Sequence, residues 1–158
     1  LSALIEQTAR LMQPLADQKK IDLQAEHLPK VEIQADEQKI RQLVLILVDN
    51  AVKYTPDGGQ VTLRLETAEG GRVRFSVQDT GIGIAKADQD RIFDRFYRVD
   101  KARSRAMGGN GLGLAIAQEI VNLHQGKILV KSEPGQGTQF TVDFKAKTEN
   151  KKVNLKNG

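Results

Sequence analysis

The chain has 158 residues, 39% apolar and 28% charged, with a formal net charge of +4, which predicts one globular domain with a single core. Because it has no cysteine and only two histidines, disulfide frameworks, thiolate metal sites and cysteine nucleophiles are excluded, and zinc is disfavoured. The basic side chains concentrate in residues 91–105 and in the tail, whereas a nucleic-acid partner would require a basic stripe over the whole domain.

The first third of the chain predicts two helices separated by extended segments. Residues 1–20 place apolar side chains at helical spacing, although Pro14 leaves the second half of that helix open. Residues 21–25 and 31–35 alternate with period two, which predicts a hairpin or two neighbouring strands. Residues 36–54 begin with acidic side chains and then repeat apolar ones at helical spacing, as a long helix would.

The middle of the chain predicts a hairpin, a short helix and a loop. Residues 61–65 and 73–77 alternate and are joined through Glu-Gly-Gly at 69–71, which predicts adjacent antiparallel strands. A helical stretch is expected from about 87 to 97. The basic, small-residue segment 98–110 has no periodicity and is expected to be a mobile loop.

The last third predicts one helix and two strands. Residues 112–124 form an amphipathic helix, and strands at 128–130 and 139–144 flank a Pro-Gly-Gln-Gly turn. Mixed helices and strands, with hairpins among the strands, predict helices packed on one face of a mixed, largely antiparallel sheet. We expect one domain over 1–146 and a polar, disordered tail over 147–158.

Three glycine clusters stand at 79–84, 108–114 and 135–138. Taken singly, each fits an ordinary turn. The second cluster runs directly into a helix, whose free N–H groups and dipole would form an anion site suited to a polyphosphate. It lacks the Gly-Lys-Ser/Thr of a Walker loop, and the basic loop before it does not fit the dinucleotide fingerprint.

The order of the motifs carries a family resemblance. They are Asn-Ala-Val-Lys-Tyr at 50–54, Asp-Thr-Gly-Ile-Gly-Ile at 79–84, Ile-Phe-Asp-Arg-Phe-Tyr-Arg at 92–98, Gly-Asn-Gly-Leu-Gly-Leu at 109–114 and Gly-Gln-Gly-Thr at 135–138. This order resembles the N, G1, F, G2 and G3 boxes of the sensor histidine kinase ATP-binding domain, in the superfamily that also holds gyrase, Hsp90 and MutL. The resemblance covers about residues 4 to 145, and it implies an α/β (α+β) two-layer sandwich of the Bergerat ATP-binding type and the cofactors ATP and Mg²⁺.

Asn50, Lys53 and Tyr54 stand at i, i+3 and i+4, so that one helical face offers an amide oxygen, a cation and a ring. Such a trio suits a nucleotide. Asn50 would bind Mg²⁺, which prefers oxygen ligands, Lys53 would meet phosphate oxygens, and Tyr54 would lie against adenine. The alternative is a solvated Asn and Lys beside a half-buried Tyr.

Asp79 ends a predicted strand, and its carboxylate can accept from an adenine amino group while Gly81 and Gly83 let the base approach. The alternative is an Asp that begins a turn. The resemblance implies that Asp79 is the specificity contact and that Thr138 supports both Asp79 and a bound water.

The segment after residue 90 holds the remaining candidates. Phe93, Phe96 and Tyr97 sit at helical spacing and fit a core as well as the lid anchor that the resemblance implies. Arg98 and Arg103 would reach the β- and γ-phosphates and are the candidate γ-phosphate contacts, with no catalytic residue certain. The resemblance adds these further ATP contacts: Ile84, Tyr97, Gly109, Asn110, Gly111, Leu112, Gly113 and Leu114.

Neither histidine has the setting of a phosphate acceptor, which is a His followed by Glu or Asp near the start of a long helical hairpin. His27 lies in a polar turn and His124 in the last turn of a helix, where a cation would complement the dipole, so both are expected to be structural. A chain that starts without Met looks like an excised fragment. We therefore expect the acceptor on a dimeric hairpin just before Leu1.

The resemblance implies three further expectations. The partners are the histidine-bearing dimerisation domain of the same kinase and a response regulator, with no nucleic acid, and the isolated domain is a monomer. The domain is cytoplasmic, given ATP use and the lack of cysteine, and its parent protein is membrane-anchored. No apolar run here approaches the roughly 18 to 20 residues of a membrane span.

One residue departs from the family pattern. Kinases usually carry a second Asn four residues before the metal-binding one, and gyrase-like ATPases carry a Glu base there, whereas this chain has Ile46. Asp49 is the candidate to compensate for the missing polar group, but it points about 100° round the helix from Asn50. Three hypotheses stay open: the catalytic half of a histidine kinase, which is favoured; a gyrase- or Hsp90-like ATPase; and a degenerate nucleotide-binding regulatory module.

Overall fold

A computed structural model describes residues 1–26, 29–97 and 112–146. The helices are α1 (Ser2–Gln18), α2 (Glu37–Tyr54), α3 (Lys86–Gln89) and α4 (Gly113–Leu123). The strands are β1 (Asp22–Ala25), β2 (Gln60–Ala68), β3 (Arg72–Asp79), β4 (Lys127–Glu133) and β5 (Gly137–Lys145). None of the helices in these three ranges has the length and apolar character to cross a bilayer.

The five strands form one sheet in the order β1-β2-β3-β5-β4. β1 and β2 run parallel because α2 lies between them in the chain and returns the backbone to the end of the sheet at which β1 begins. The other three pairings are antiparallel, and the β2–β3 hairpin has the predicted partners, with Leu63 opposite Val77. The prediction of a mixed, largely antiparallel sheet is thus confirmed.

The helices cover one face of this sheet. Alternate side chains are buried in β2 from Val61 to Leu65 and throughout β3, as expected for strands with one face on a core. The buried set from these strands is Val61, Leu63, Leu65, Val73, Phe75 and Val77. Opposite them, α2 buries Leu43, Leu47 and Ala51 on one stripe. The two-layer architecture predicted from the sequence is confirmed.

Capping residues set both ends of α2. The carboxylate of Asp36 accepts from the N–H groups of Gln38 and Lys39 at 3.0 and 3.2 Å, which satisfies two of the free donors at the helix start. At the other end, the hydroxyl of Thr55 donates to the carbonyl of Ala51 at 2.7 Å. The last turn of α2, which holds the predicted nucleotide face, is therefore fixed in place.

His124 ends α4 and ties it to α2. Its Nδ1 lies 2.7 Å from the carbonyl oxygen of Ile120, and its Nε2 accepts from the N–H of Asp36 at 3.1 Å. An accepting Nε2 requires a neutral ring with the proton on Nδ1. The structural role expected for His124 thus rests on hydrogen bonds between two helices rather than on a charge at the helix end.

The prediction of a strand at 31–35 is wrong. These residues have no strand pairing, and β1 pairs instead with β2 across the α2 crossover. The alternation nevertheless has a physical cause, since Val31 and Ile33 are half-buried and pack against the core. Period-two burial reports an extended segment with one side on the core, which needs no ladder of hydrogen bonds.

The helix predicted from about 87 to 97 is also wrong beyond its first turn. α3 ends at Gln89, and hydrogen bonds spaced three residues apart then run from Arg91 to Asp88, Asp94 to Arg91 and Tyr97 to Asp94. Phe96 has a φ of +65°, which no right-handed helix allows. Helical spacing of aromatics therefore marked a series of tight turns. His27, the loop at 98–110 and the tail at 147–158 lie outside the described residues.

Candidate functional site

The first and third glycine clusters meet where β3 ends and β5 begins. Asp79 is the last residue of β3, and Thr138 is the second residue of β5. Gly137 lies between them with a φ of +99°, and a Cβ there would overlap the carbonyl oxygen of Asp79. Only glycine allows both this backbone conformation and this close approach.

Asp79 is a buried carboxylate with a defined set of donors. It is only 5% exposed, and its Oδ1 accepts from the N–H of Gly81 at 2.8 Å and from the N–H of Thr138 at 3.1 Å. Burial raises the pKa of this carboxyl group above its usual value, and the two backbone hydrogen bonds partly offset that rise. Because both N–H groups share Oδ1, the carboxylate presents Oδ2 in a fixed direction.

The loop after β3 packs against the end of α2. The N–H of Ile82 donates to the carbonyl of Tyr54 at 3.3 Å, and a Cβ on Gly81 would lie 2.5 Å from that same oxygen. Gly83 has a φ of +74°, and a Cβ there would overlap the carbonyl oxygen of Glu133. Two glycines that sequence analysis assigned to ligand approach are thus also required by the protein's own packing.

Ser132 and Gln89 hold this loop on β4, and sequence analysis missed both. The hydroxyl of Ser132 accepts from the N–H of Ile84 at 2.7 Å and lies 2.9 Å from the hydroxyl of Thr138. The amide Nε2 of Gln89 donates to the carbonyl oxygens of Ile84 and Ser132 at 2.9 and 3.0 Å. The sequence contained one indication for Ser132. It continues the alternation of Ile128 and Val130, whose side chains face inward, which places its hydroxyl inward as well.

Asn50, Lys53 and Tyr54 lie together in the last turns of α2, beside the loop that follows Asp79. Each of these three side chains is half-buried. The Nζ of Lys53 pairs with the Asp49 carboxylate at 3.0 Å. Asp49 therefore faces Lys53 across one helical turn.

A third residue that sequence analysis missed, Lys19, binds the last turn of α2. Lys19, just after α1, donates from Nζ to the carbonyl oxygens of Val52 and Lys53 at 2.7 and 3.1 Å. Its own carbonyl accepts from the N–H of Gly58 at 2.9 Å. A cation on the terminal carbonyls of a helix also complements the helix dipole, so that Lys19 joins α1 to the turn that carries Asn50.

The aromatic residues after α3 divide between core and surface. Phe93 packs edge-on against Phe140 with ring centroids 6.2 Å apart, whereas Phe96 is 68% exposed. The hydroxyl of Tyr97 donates to Asp88, and this hydrogen bond raises the pKa of the phenol. The guanidinium of Arg91 lies 4.6 Å from the centre of the Tyr97 ring.

Ile46 fills the space between α2 and the start of α4. Its side chain packs against the core, and its Cγ2 lies 3.5 Å from where a Cβ on Gly113 would stand. Leu112, Gly113 and Leu114 form the start of α4, and the carbonyl of Leu112 accepts from the N–H of Ile116 at 2.9 Å. Arg98, Arg103, Gly109, Asn110 and Gly111 lie outside the described residues.

The protein oxygen atoms near Asn50 suit a metal ion that is bound mainly by phosphate oxygens and waters. Within residues 1–26, 29–97 and 112–146, no group of three or more His, Cys, Asp or Glu side chains is arranged to hold a metal ion. Mg²⁺ is commonly bound through one or two protein oxygens together with phosphate oxygens and waters. The half-buried amide of Asn50 fits that kind of site.

The family of the chain follows from comparison with known proteins. Residues 35–148 match the family described as histidine kinase-, DNA gyrase B-, and HSP90-like ATPase. The chain is 48% identical over 120 residues to the sensor histidine kinase WalK of Bacillus subtilis, covering 74% of this chain and 20% of that protein. The chain therefore belongs to this ATPase family, as its motif order predicted.

Solved structures place the chain more narrowly within the family. Full-length ShkA in complex with AMPPNP superposes with a TM-score of 0.80 at 38% identity, over 94% of this chain and 30% of that one. Histidine kinase ThkA in complex with the response regulator protein TrrA superposes with a TM-score of 0.76 at 27% identity, over 94% and 40%. The chain corresponds to the catalytic domain of sensor histidine kinases, and it spans about a fifth of the WalK relative.

Proposed function

We propose that this domain binds Mg-ATP between the end of α2, the loop after β3 and the start of α4, and transfers the γ-phosphoryl group to a histidine on a separate dimerisation domain. The observation that carries the proposal is the buried carboxylate of Asp79, held by two backbone N–H groups beside a glycine loop. A buried carboxylate with a fixed, open oxygen is suited to accept from an exocyclic amino group.

The roles of the other residues follow from their positions. Tyr54 lies against the adenine ring beside Asp79, with Gly81, Gly83 and Ile84 forming the wall of the base pocket, and Thr138 supports Asp79. Lys53 meets phosphate oxygens and exchanges its bond to Asp49 for them, since both partners are about one-third exposed and an ion pair of this kind is weak. The N-terminus of α4, at Leu112, Gly113 and Leu114, receives the phosphates, and Gly109, Asn110 and Gly111 are proposed as further contacts.

The phosphoryl transfer itself needs positioning and charge more than covalent help from the protein. A nitrogen of the acceptor imidazole bonds to the γ-phosphorus while the bond from that phosphorus to the bridging β–γ oxygen breaks, and ADP leaves. Mg²⁺, when bound, neutralises charge on the phosphate oxygens. The amide oxygen of Asn50 would hold that ion. Arg98 and Arg103 are proposed to contact the γ-phosphate, with Tyr97 just before them in the chain.

The partners and location are part of the proposal. The structure of ThkA in complex with the response regulator protein TrrA supports a response regulator partner for this chain too. The structure of ShkA with AMPPNP supports an adenine nucleotide as the ligand. We propose that the parent protein is a membrane-anchored sensor kinase and that this domain is cytoplasmic.

A hydrolytic ATPase would require a base that activates the attacking water. Ile46 cannot act as such a base.

The test uses the kinase with its histidine-bearing hairpin attached. Incubation with [γ-³²P]ATP should label the histidine, and Asn50→Ala should abolish the label because its metal contact is lost. Asn122→Ala is the matched control, since it removes an exposed amide from α4 and should leave labelling unchanged. Labelling that survives Asn50→Ala would sink the assignment of Asn50.

A further inference from the structure

Ser132 makes three polar contacts at once. Its Oγ accepts from the N–H of Ile84 at 2.7 Å, lies 2.9 Å from the carbonyl oxygen of Gly137, and lies 2.9 Å from the Oγ1 of Thr138. These partners come from two places: the loop after β3, which holds Ile84, and the first two residues of β5, Gly137 and Thr138. Ser132 is thus the point at which the two glycine segments around Asp79 are joined.

The proton count of a hydroxyl group fixes the direction of all three bonds. Serine has one O–H donor and two acceptor lone pairs. The N–H of Ile84 can only donate, and the carbonyl of Gly137 can only accept. The single proton of Ser132 therefore goes to Gly137, and the contact with Thr138 is made only if the Thr138 hydroxyl donates its proton to Ser132.

As a consequence, Thr138 and Asp79 offer a ligand only hydrogen-bond acceptors at this end of the pocket. With its proton committed to Ser132, the Oγ1 of Thr138 has only lone pairs left for a ligand or a water. The adjacent Asp79 carboxylate, which accepts from the N–H of the same Thr138 at 3.1 Å, is also an acceptor when it is ionised. The amide of Gln89 donates to the carbonyl oxygens of Ile84 and Ser132 and so holds these two residues together.

We propose that Ser132 is a positioning residue that sets the hydrogen-bond polarity of Thr138 and thereby favours a base with a 6-amino group over one with a 6-oxo group. The inference rests on the proposed function, because it concerns the base of the same nucleotide. If Ser132 is replaced by Ala, the Thr138 hydroxyl is released and can donate to a 6-oxo group, so that part of the discrimination is lost.

The experiment compares two nucleotides that differ at this position. ADP and inosine diphosphate are titrated calorimetrically into the wild-type chain, Ser132→Ala, Ser132→Thr and Ser76→Ala. Ser132→Ala should lower the ratio of the two dissociation constants, Kd for inosine diphosphate over Kd for ADP, by about 3- to 10-fold, the worth of one neutral hydrogen bond. Ser132→Thr keeps the hydroxyl and should retain the ratio. Ser76→Ala removes a half-buried hydroxyl from β3 and should leave the ratio unchanged.

A double-mutant cycle separates this role from a purely structural one. In a Thr138→Val background the hydroxyl is already absent, so adding Ser132→Ala should change the ratio no further. If Ser132→Ala does not fold, Thr138→Val alone should still lower the ratio. An equal weakening of both nucleotides by Ser132→Ala, with the ratio preserved, overturns the inference and leaves the proposed function standing. A wild-type chain that binds neither nucleotide overturns both.

Discussion

Replacing Asp79 by Asn separates the binding role of this carboxylate from its effect on stability. The Asn amide oxygen can take the place of Oδ1, because that atom accepts from the N–H groups of Gly81 and Thr138. The amide NH₂ group must then stand where Oδ2 was. A donor would face the amino group of adenine, so the variant loses a charge-assisted hydrogen bond and gains a donor opposed to a donor.

The expected loss of affinity follows from the worth of that bond. Hydrogen bonds to charged groups contribute about 1.5 to 3 kcal/mol, which corresponds to a roughly 10- to 150-fold increase in the dissociation constant for ADP. Titration calorimetry measures it. Asp90→Asn, at an exposed carboxylate after α3, is the matched control and should bind ADP as the wild type does. Unchanged ADP affinity in Asp79→Asn would refute the role given to this residue.

Although Asp79→Asn should weaken ADP binding, its free energy of unfolding relative to the wild type should rise toward neutral pH. Burial raises the pKa of Asp79 above its usual value of 3.8, so the folded chain holds this proton to a higher pH than the unfolded chain does. The stabilisation from Asp79 is present below the unfolded pKa and is lost as the pH rises through the folded pKa. Asn has no such dependence. Urea unfolding from about pH 4 to about pH 7 should therefore show the variant gaining free energy of unfolding relative to the wild type. A relative gain on acidification would contradict the assignment.

Three other substitutions test separate parts of the structure. Lys19→Met should lower the free energy of unfolding by about 1.5 to 3 kcal/mol in urea titrations, because two carbonyls of α2 lose a charged donor, while Lys19→Arg should recover most of it. Gly83→Ala should cost about 1 to 3 kcal/mol in the same assay, since its φ is +74° and the Cβ meets Glu133. Gly70→Ala, with a φ of +75° and no atom within 4 Å, is its control for backbone strain alone. Ile46→Asn should strengthen the dependence of ADP affinity on Mg²⁺, measured with and without chelator, by adding an oxygen ligand one turn before Asn50. An unchanged dependence would show that position 46 does not face the metal.

The elements that sequence analysis predicted well are those with long periodic patterns. α2 has acidic residues at its start and apolar residues at helical spacing, and both features act within the element itself. The hairpin of β2 and β3 is likewise a local structure with a Gly-Gly turn. The prediction for residues 31–35 failed because their alternating burial resembles that of a strand although they pair with none. β1 pairs instead with β2 through the α2 crossover, and no local pattern contains that information.

The candidate site divides in the same way. Glycine clusters and the carboxylate of Asp79 are visible as residue types, and the structure brings Asp79, Gly81 and Thr138 within hydrogen-bond distance of one another. The supporting residues are not visible in this way. Lys19 reaches α2 from 33 and 34 residues away, and Gln89 reaches Ser132 from 43 residues away. Only the folded chain defines such contacts, because a lysine or glutamine on its own suits almost any surface.

The central claim, that this domain holds an adenine nucleotide beside Asp79, is tested most directly by titrating the chain with ADP in the presence of Mg²⁺. The account predicts a saturable isotherm with one nucleotide per chain, weakened by chelation of the metal and weakened further in Asp79→Asn. Absence of heat and of saturation with the wild-type chain would contradict it, and would instead favour a domain of this family that acts only by contact with other proteins.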